Sequence, residues 1–191
     1  MGINLVGKAA EGKIILGIDP GTNVMGYGLI TVAQQKVTLL QYGVVYLNKY
    51  NSQALKLQKI FERVLQIIDE YLPDELAIEA PFYGKNVQSM LKLGRAQGVA
   101  IAAALSREIP IVEYAPKAVK QSVTGNGNAS KEQVAAMLER LLVFDNAADN
   151  LLDATDALAV ALCHLLKGST EKAVKKNDWS SFVKDNPDRV K

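Results

Sequence analysis

The chain has 191 residues, 49% of them hydrophobic and 22% charged, with a formal net charge of +2. That length fits one domain with a sizeable core, and the composition is that of a globular protein rather than a disordered or fibrous one. A single cysteine, Cys163, excludes an intramolecular disulfide. No run approaches the roughly 20 apolar residues of a membrane span, and the opening MGINLVGKAAEGK lacks a signal-peptide core, so the expected compartment is the cytoplasm. A charge this small neither demands nor excludes nucleic acid, because local clustering matters more than the total.

Residues 1–12 read as a loose arm rich in Gly and Ala. Ile14–Asp19 is a buried-type strand that ends in a carboxylate; Pro20 and Gly21 turn the chain into a second strand, Met25–Val32. Lys36–Tyr46 alternates near period two and reads as a third, so short turns suggest an antiparallel meander. Over Asn51–Tyr71 the period changes: Leu57, Ile60, Phe61, Val64, Ile67, Ile68 and Tyr71 recur at helical spacing, and Pro73 closes the helix. Leu76–Glu79 is a short strand that again ends in a carboxylate, followed by the loop Ala80–Asn86.

A long helix is predicted over Val87–Arg107. Gly94, Gly98 and Ala102 fall four apart, so they share one face. Each glycine weakens a helix by about 1 kcal/mol relative to Ala, which asks for a packing reason: either this helix is pressed on its own sheet, or the face is a subunit interface. Ile109–Tyr114 is a fifth strand, and Pro116 opens a short helix carrying Lys117 and Lys120. Thr124–Asn128 (TGNGN) is a loop without the GK[ST] ending of a phosphate loop. Ser130 and Gln133 form a capping box for a helix to about Leu142. The polar stretch Asp145–Asn150 leads to a last helix, about Leu151–Lys167, with Asp153 and Asp156 in its first turns. Residues 13–167 thus form one α/β domain, a mixed sheet with helices on its faces, and residues 168–191 a polar tail.

Four carboxylates stand at pointed places. Asp19 and Glu79 each end a strand, and Asp153 and Asp156, three apart, share a helical face. Singly, Asp19 could be a turn residue and the helical pair could be charges favoured by the dipole. Glu79, after an apolar strand and beside Ala80 and Pro81, has little structural excuse. If the two strands are neighbours and the helix crosses their ends, all four converge. Like charges crowded in this way invite a hard divalent cation with oxygen ligands, Mg²⁺ or Mn²⁺. Lys85, Lys117, Lys120 and Lys131 suit an anionic substrate, and Phe82 with Tyr83 forms an aromatic loop tip able to stack on unpaired bases. Cys163 is expected in the core, and His164, eight residues past Asp156, is too distant to share its metal and is expected in packing or at the surface.

With these segments in hand, the chain resembles the RuvC family of bacterial Holliday-junction resolvases, in the RNase H-like superfamily. The segments that carry the resemblance are ILGIDPGTNVMGYG, LAIEAPFYGKN, LKLGRAQGVAIAAA, APKAVKQSVTGNGNASKEQV and DATDALAVALCH, spanning about Ile14–Leu166. The resemblance implies an RNase H-like fold with a five-stranded mixed sheet. It implies an Mg²⁺-dependent crossover junction endodeoxyribonuclease with Asp19, Glu79, Asp153 and Asp156 as catalytic metal ligands for two ions, Mn²⁺ substituting. Lys120 would be catalytic and, with Lys131, lie near the scissile strand; Phe82 or Tyr83 would intrude at the crossover, with Lys85 and Lys117 further DNA contacts. The expected partners are a four-way DNA junction, a second copy of the chain held through the Gly94–Gly98 helix, and the RuvA–RuvB branch-migration complex. A non-catalytic junction-binding protein of the same fold is the alternative reading.

Overall fold

The structure is a computed structural model and describes residues 12–34, 36–81, 86–142 and 152–171. Strands β1 (Lys13–Asp19), β2 (Val24–Ala33) and β3 (Lys36–Tyr46) form the antiparallel meander, with β4 (Glu75–Glu79) and β5 (Ile111–Tyr114) added in parallel on the other side of β1. The sheet order is β3-β2-β1-β4-β5, the five-stranded mixed sheet expected.

Helix α1 (Gln53–Tyr71) starts where the Ser52 side chain accepts a hydrogen bond from the Leu55 amide, and ends at Leu72 in the left-handed region, one residue before Pro73. Helix α2 (Val87–Leu105) is capped by Asn86, whose side chain accepts from the Ser89 amide. These two helices cover one face of the sheet over a core that includes Leu16, Ile18, Ile60, Val64, Leu76, Ile78, Ala96 and Ala100.

The opposite face carries α3 (Pro116–Thr124), α4 (Lys131–Leu142) and α5 (Leu152–Glu171), packed on Ile15, Ile30 and Ala77. Pro116 opens α3 and Gly125, at φ 75°, ends it. The capping box of α4 is formed: the Ser130 amide donates to Gln133 Oε1 at 2.9 Å, and the Gln133 amide to Ser130 Oγ at 3.3 Å. Helix α5 runs on through Gly168 to Glu171, past the expected end at Lys167. A glycine stops a helix where it takes a positive φ, and among the described glycines only Gly125 does so.

Residues 1–11 of the expected arm and residues 172–191 of the expected tail lie outside the described residues, as do the Phe82–Lys85 loop tip and the Asp145–Asn150 stretch.

Candidate active site

Strand pairing fixes the first two carboxylates. β1 and β4 run parallel with Ile18 opposite Ile78, so Asp19 and Glu79 follow as neighbours at the same end of the sheet. Residues of β1 alternate between faces: Leu16 and Ile18 enter the α1–α2 core and Ile15 the other. Asp19 shares the parity of Ile15 and Gly17, and therefore faces α5.

Two glycines let α5 come close. A Cβ on Gly17 would lie 2.2 Å from the Ala157 carbonyl oxygen, and one on Gly26 would lie 1.9 Å from that of Asp153. Gly26 is also the register partner of Asp19. The first turns of α5 thus rest directly on bare backbone beside Asp19, which drops Asp153 and Asp156 over it. The oxygens of Asp19, Asp153 and Asp156 lie within 4.8 Å of one another. Glu79 stands outside that set yet is coupled to it, since its charge acts on Asp19 and that of Asp156 acts on Glu79.

Lys131, the first residue of α4, closes the cluster from above. Its Nζ lies 2.5 Å from Asp156 Oδ2 and 3.3 Å from Asp153 Oδ1. The charge balance is still negative, and the protonation equilibria show it. Burial, then the Glu79 and Asp156 carboxylates, push Asp19 well above the ordinary aspartate range. Burial and then Asp156 push Glu79 up to about 7, against the opposing pull of Lys131 and Lys120. Asp156 is raised by burial and by Asp153, with Lys131 and Lys120 pulling back. Burial acts downward on Lys131, but its hydrogen bond to Asp156 and the surrounding carboxylates win, so it stays above the ordinary lysine value.

This donor set fits a hard divalent cation: three carboxylate oxygens converge, all partly open to solvent, and burial with mutual repulsion raises the proton affinity of Asp19 and Asp156. Asp19, Asp153 and Asp156 could hold it, with Glu79 at the margin for a second.

The other residues singled out from the sequence distribute as follows. Lys120 is half-buried on α3, and its charge reaches both Glu79 and Asp156. Lys117 is exposed on the same helix, its stem beneath the Thr124–Asn128 loop, where a Cβ on Gly127 would lie 2.8 Å from Lys117 Cγ. Phe82, Tyr83 and Lys85 lie outside the described residues.

Residues 15–164 match the family model described as crossover junction endodeoxyribonuclease RuvC. A protein of that name from Cytophaga hutchinsonii is 64% identical over 180 residues, covering 94% of this chain and 88% of the relative. The chain belongs to the RuvC family. The Bacteroides fragilis RuvC is 58% identical, covering 94% of this chain and 96% of its own length. A structure of Thermus thermophilus RuvC in complex with Holliday junction substrate is 31% identical with a TM-score of 0.76, over 83% of this chain and 96% of that one. The fold is therefore that of RuvC and of RNase H-like resolvases in general; the yeast mitochondrial resolvase Ydc2, 14% identical with a TM-score of 0.61, shares the fold alone.

Sequence reasoning missed two residues of this RuvC chain and the partners of a third. Gly17 and Gly26 carry no chemistry of their own, and only a glycine inside a buried strand, which commonly marks close backbone approach, signals them. His164, expected in packing or at the surface, is buried in packing: Nδ1 pairs with the Tyr114 hydroxyl at 2.8 Å and Nε2 with Glu75. That network ties the far end of α5 to β4 and β5, and nothing in local spacing announces it. Cys163 is fully buried, as expected of a small core residue.

Proposed function

We propose that this RuvC protein is an Mg²⁺-dependent endonuclease that resolves four-way DNA junctions by hydrolysing one phosphodiester on each of two like-polarity strands, in recombination and repair. The convergence of Asp19, Asp153 and Asp156 beside Glu79, under Lys131, is the observation that carries this reading. When bound, two Mg²⁺ ions (Mn²⁺ would substitute) supply the Lewis acidity that activates water and offsets charge on the phosphate and its leaving oxygen. Asp19, Asp153 and Asp156, with Glu79 beside them, would hold these ions.

The chain's own groups then do the rest. Asp19 and Glu79, fixed at strand ends, would hold the ions, and through them the reacting phosphate, at the end of the sheet. Lys120 and Lys131 approach from α3 and α4 and neutralise phosphate oxygens, which requires Lys131 to exchange its carboxylate partners for the substrate. The products would be a 5′-phosphate and a 3′-hydroxyl. Lys117 and Lys85 extend the phosphate contacts, and Phe82 or Tyr83 stacks at the open crossover.

A second copy of the chain would dock through α2. Ala96, Gln97, Ala100, Ala103 and Ala104 face inward, while Gly94 and Gly98 have no neighbouring atom within 4 Å of where a Cβ would sit. The glycines therefore do not serve packing on the chain's own sheet, and exposed Val87, Leu91 and Leu105 flank the same helix. A two-fold dimer built there would match the two-fold symmetry of a four-way junction. The cytoplasm, with a RuvA–RuvB branch-migration complex delivering the junction, is the setting this implies.

The deciding experiment is incubation with a mobile synthetic junction in Mg²⁺ or in EDTA, with the cut sites mapped. Paired, symmetric cuts in Mg²⁺ alone are expected. Binding without cleavage in either condition would overturn the nuclease assignment.

A further inference from the structure

A second basic feature lies at the same end of the sheet, on the face opposite the carboxylates. A cleft of about 320 Å³ opens between the edge strand β3 and α1, lined by Tyr46, Lys49, Tyr50, Lys59, Glu62 and Arg63. Three cations face one carboxylate. Glu62 is taken by Lys59 at 2.6 Å, and among the described residues neither Lys49 nor Arg63 is in an ion pair. The whole protein carries only +2, so a cleft with the same surplus is a strong local concentration.

The cleft is preorganised. Arg63 stacks on the Tyr27 ring at 5.3 Å from its centroid and donates to the Tyr27 hydroxyl at 3.1 Å. Gly43 leaves room for that hydroxyl, since a Cβ there would lie 2.8 Å from it. Lys49 Nζ sits 5.4 Å from the centre of the Tyr50 ring, and Tyr46 is 53% exposed. Arg63 is thus fixed against a buried ring, while Lys49 and the Tyr46 ring are open to solvent and the Tyr50 ring partly so, and cations beside open aromatic rings suit a nucleic-acid strand.

Its position relates it to Asp19. Asp19, Gly26 and Val44 form one row across three strands, so Val44 lies about 10 Å from Asp19 at normal strand spacing. The loop after β3 is tied to the turn after Asp19: the Leu47 and Asn48 amides both donate to the Asn23 carbonyl, and Lys56 donates to that of Thr22. The sheet is a single strand layer, and a duplex whose major groove alone is about 12 Å wide can pass over its end and meet both faces.

We propose that the Lys49–Arg63 cleft is a second DNA-backbone site, which holds a duplex arm of the junction on the far side of the sheet end from the cleaved phosphate. This rests on the junction-resolving reading above. It adds a contact that positions the arm without touching the reacting atoms.

The test is binding of the full chain to a labelled four-way junction with Ca²⁺ in place of Mg²⁺, titrated against salt, with hydroxyl-radical footprinting. Lys49→Gln sits at an exposed position and is expected to fold normally; Arg63→Gln is compared with its melting temperature measured. Each is expected to weaken binding about threefold to tenfold at moderate salt and to reduce the log–log salt slope by about 0.9. Protection of the flanking arm should fade while that at the crossover persists. Unchanged slope, affinity and footprint in Lys49→Gln would overturn the proposal, as would an effect confined to Arg63→Gln with a lowered melting temperature. Unaltered junction binding together with retention of a polyglutamate probe that Lys49→Gln abolishes would reassign the cleft to an acidic protein segment. If the wild-type chain fails to bind the junction at all, the functional reading falls and takes this site with it.

Discussion

Asp19 is the residue on which the proposed chemistry turns. It is pressed between Glu79, Asp153 and Asp156, and each of them raises its proton affinity. Asp19→Asn keeps the shape and removes the charge. Cleavage is expected to drop at least about 100-fold, because the proposed metal ligand would be lost, while junction affinity in Ca²⁺ stays within a few-fold; a gel-shift and a cleavage time course on one junction read both. Glu79 gives a pH prediction. Its folded-state pKa of about 7 lies above the ordinary value of 4.5, so the native state binds this proton more tightly than the unfolded chain does. Below about pH 4.5 Glu79 is protonated in both states and contributes nothing. As the pH rises toward 7, the unfolded carboxyl has already lost its proton while the folded one keeps it, so folding must take up a proton at a growing cost, and the full penalty, of order 1–3 kcal/mol, is present above 7. Asp19 and Asp156 act in the same direction, whereas Lys131, raised above an already high value, titrates outside this window. The EDTA-treated protein should therefore melt at a lower temperature at pH 8 than at pH 5.5. Mg²⁺ should recover most of the difference at pH 8, and Glu79→Gln should flatten the metal-free profile. A Tm that rises with pH without metal would contradict this account.

At the scale of elements, the site exists because α5 lies against bare backbone. Gly26→Ala places a methyl 1.9 Å from the Asp153 carbonyl oxygen, so α5 must lift. An overpacking cost of roughly 1–3 kcal/mol is expected, and activity should fall further than the fraction folded, since the same shift moves Asp153 and Asp156 away from Asp19. Circular-dichroism melts beside cleavage rates separate the two effects. The strands and helices that frame this site were legible in the sequence: alternation marked β3, helical spacing marked α1, and Ser130 with Gln133 marked the start of α4. The two strand-end carboxylates and the helical pair were legible too, because each sits where an element boundary shows locally. What was not legible is non-local. The β1–β4 pairing that sets Asp19 beside Glu79 crosses some 60 residues of chain, and the approach of α5 to Gly17 and Gly26 depends on which sheet face it covers. The placement of His164 against Glu75 and Tyr114 likewise needs three distant segments at once. The extension of α5 through Gly168 was missed because a glycine near an expected helix end resembles a terminator, and its φ cannot be read from its name.

For the whole molecule, the question is whether two such sites act together. The two faces of the sheet are unequal: one is covered by α3, α4 and α5, and the other by α1 and α2, with the Gly94–Gly98–Ala102 row of α2 turned outward. Glycine at two helical positions, Gly94 half-buried and Gly98 exposed, costs about 2 kcal/mol of helix propensity, which an isolated chain gains nothing from. A second copy approaching along that row would recover the cost through close backbone packing and set two carboxylate clusters about one two-fold axis. Gly98→Leu separates the two contributions. It should raise or preserve the melting temperature of the monomer, because a better helix former enters open space, while filling the surface that the partner needs. Sedimentation velocity should then show a dimer for the wild type and a monomer for the variant at the same concentration. On a plasmid that extrudes a cruciform, the wild type should yield linear product from two coordinated cuts; the variant should yield nicked circles, because each remaining site acts alone. Linear product from a protein shown to be monomeric would mean that coordination does not depend on this helix, and the interface would have to be sought on another face.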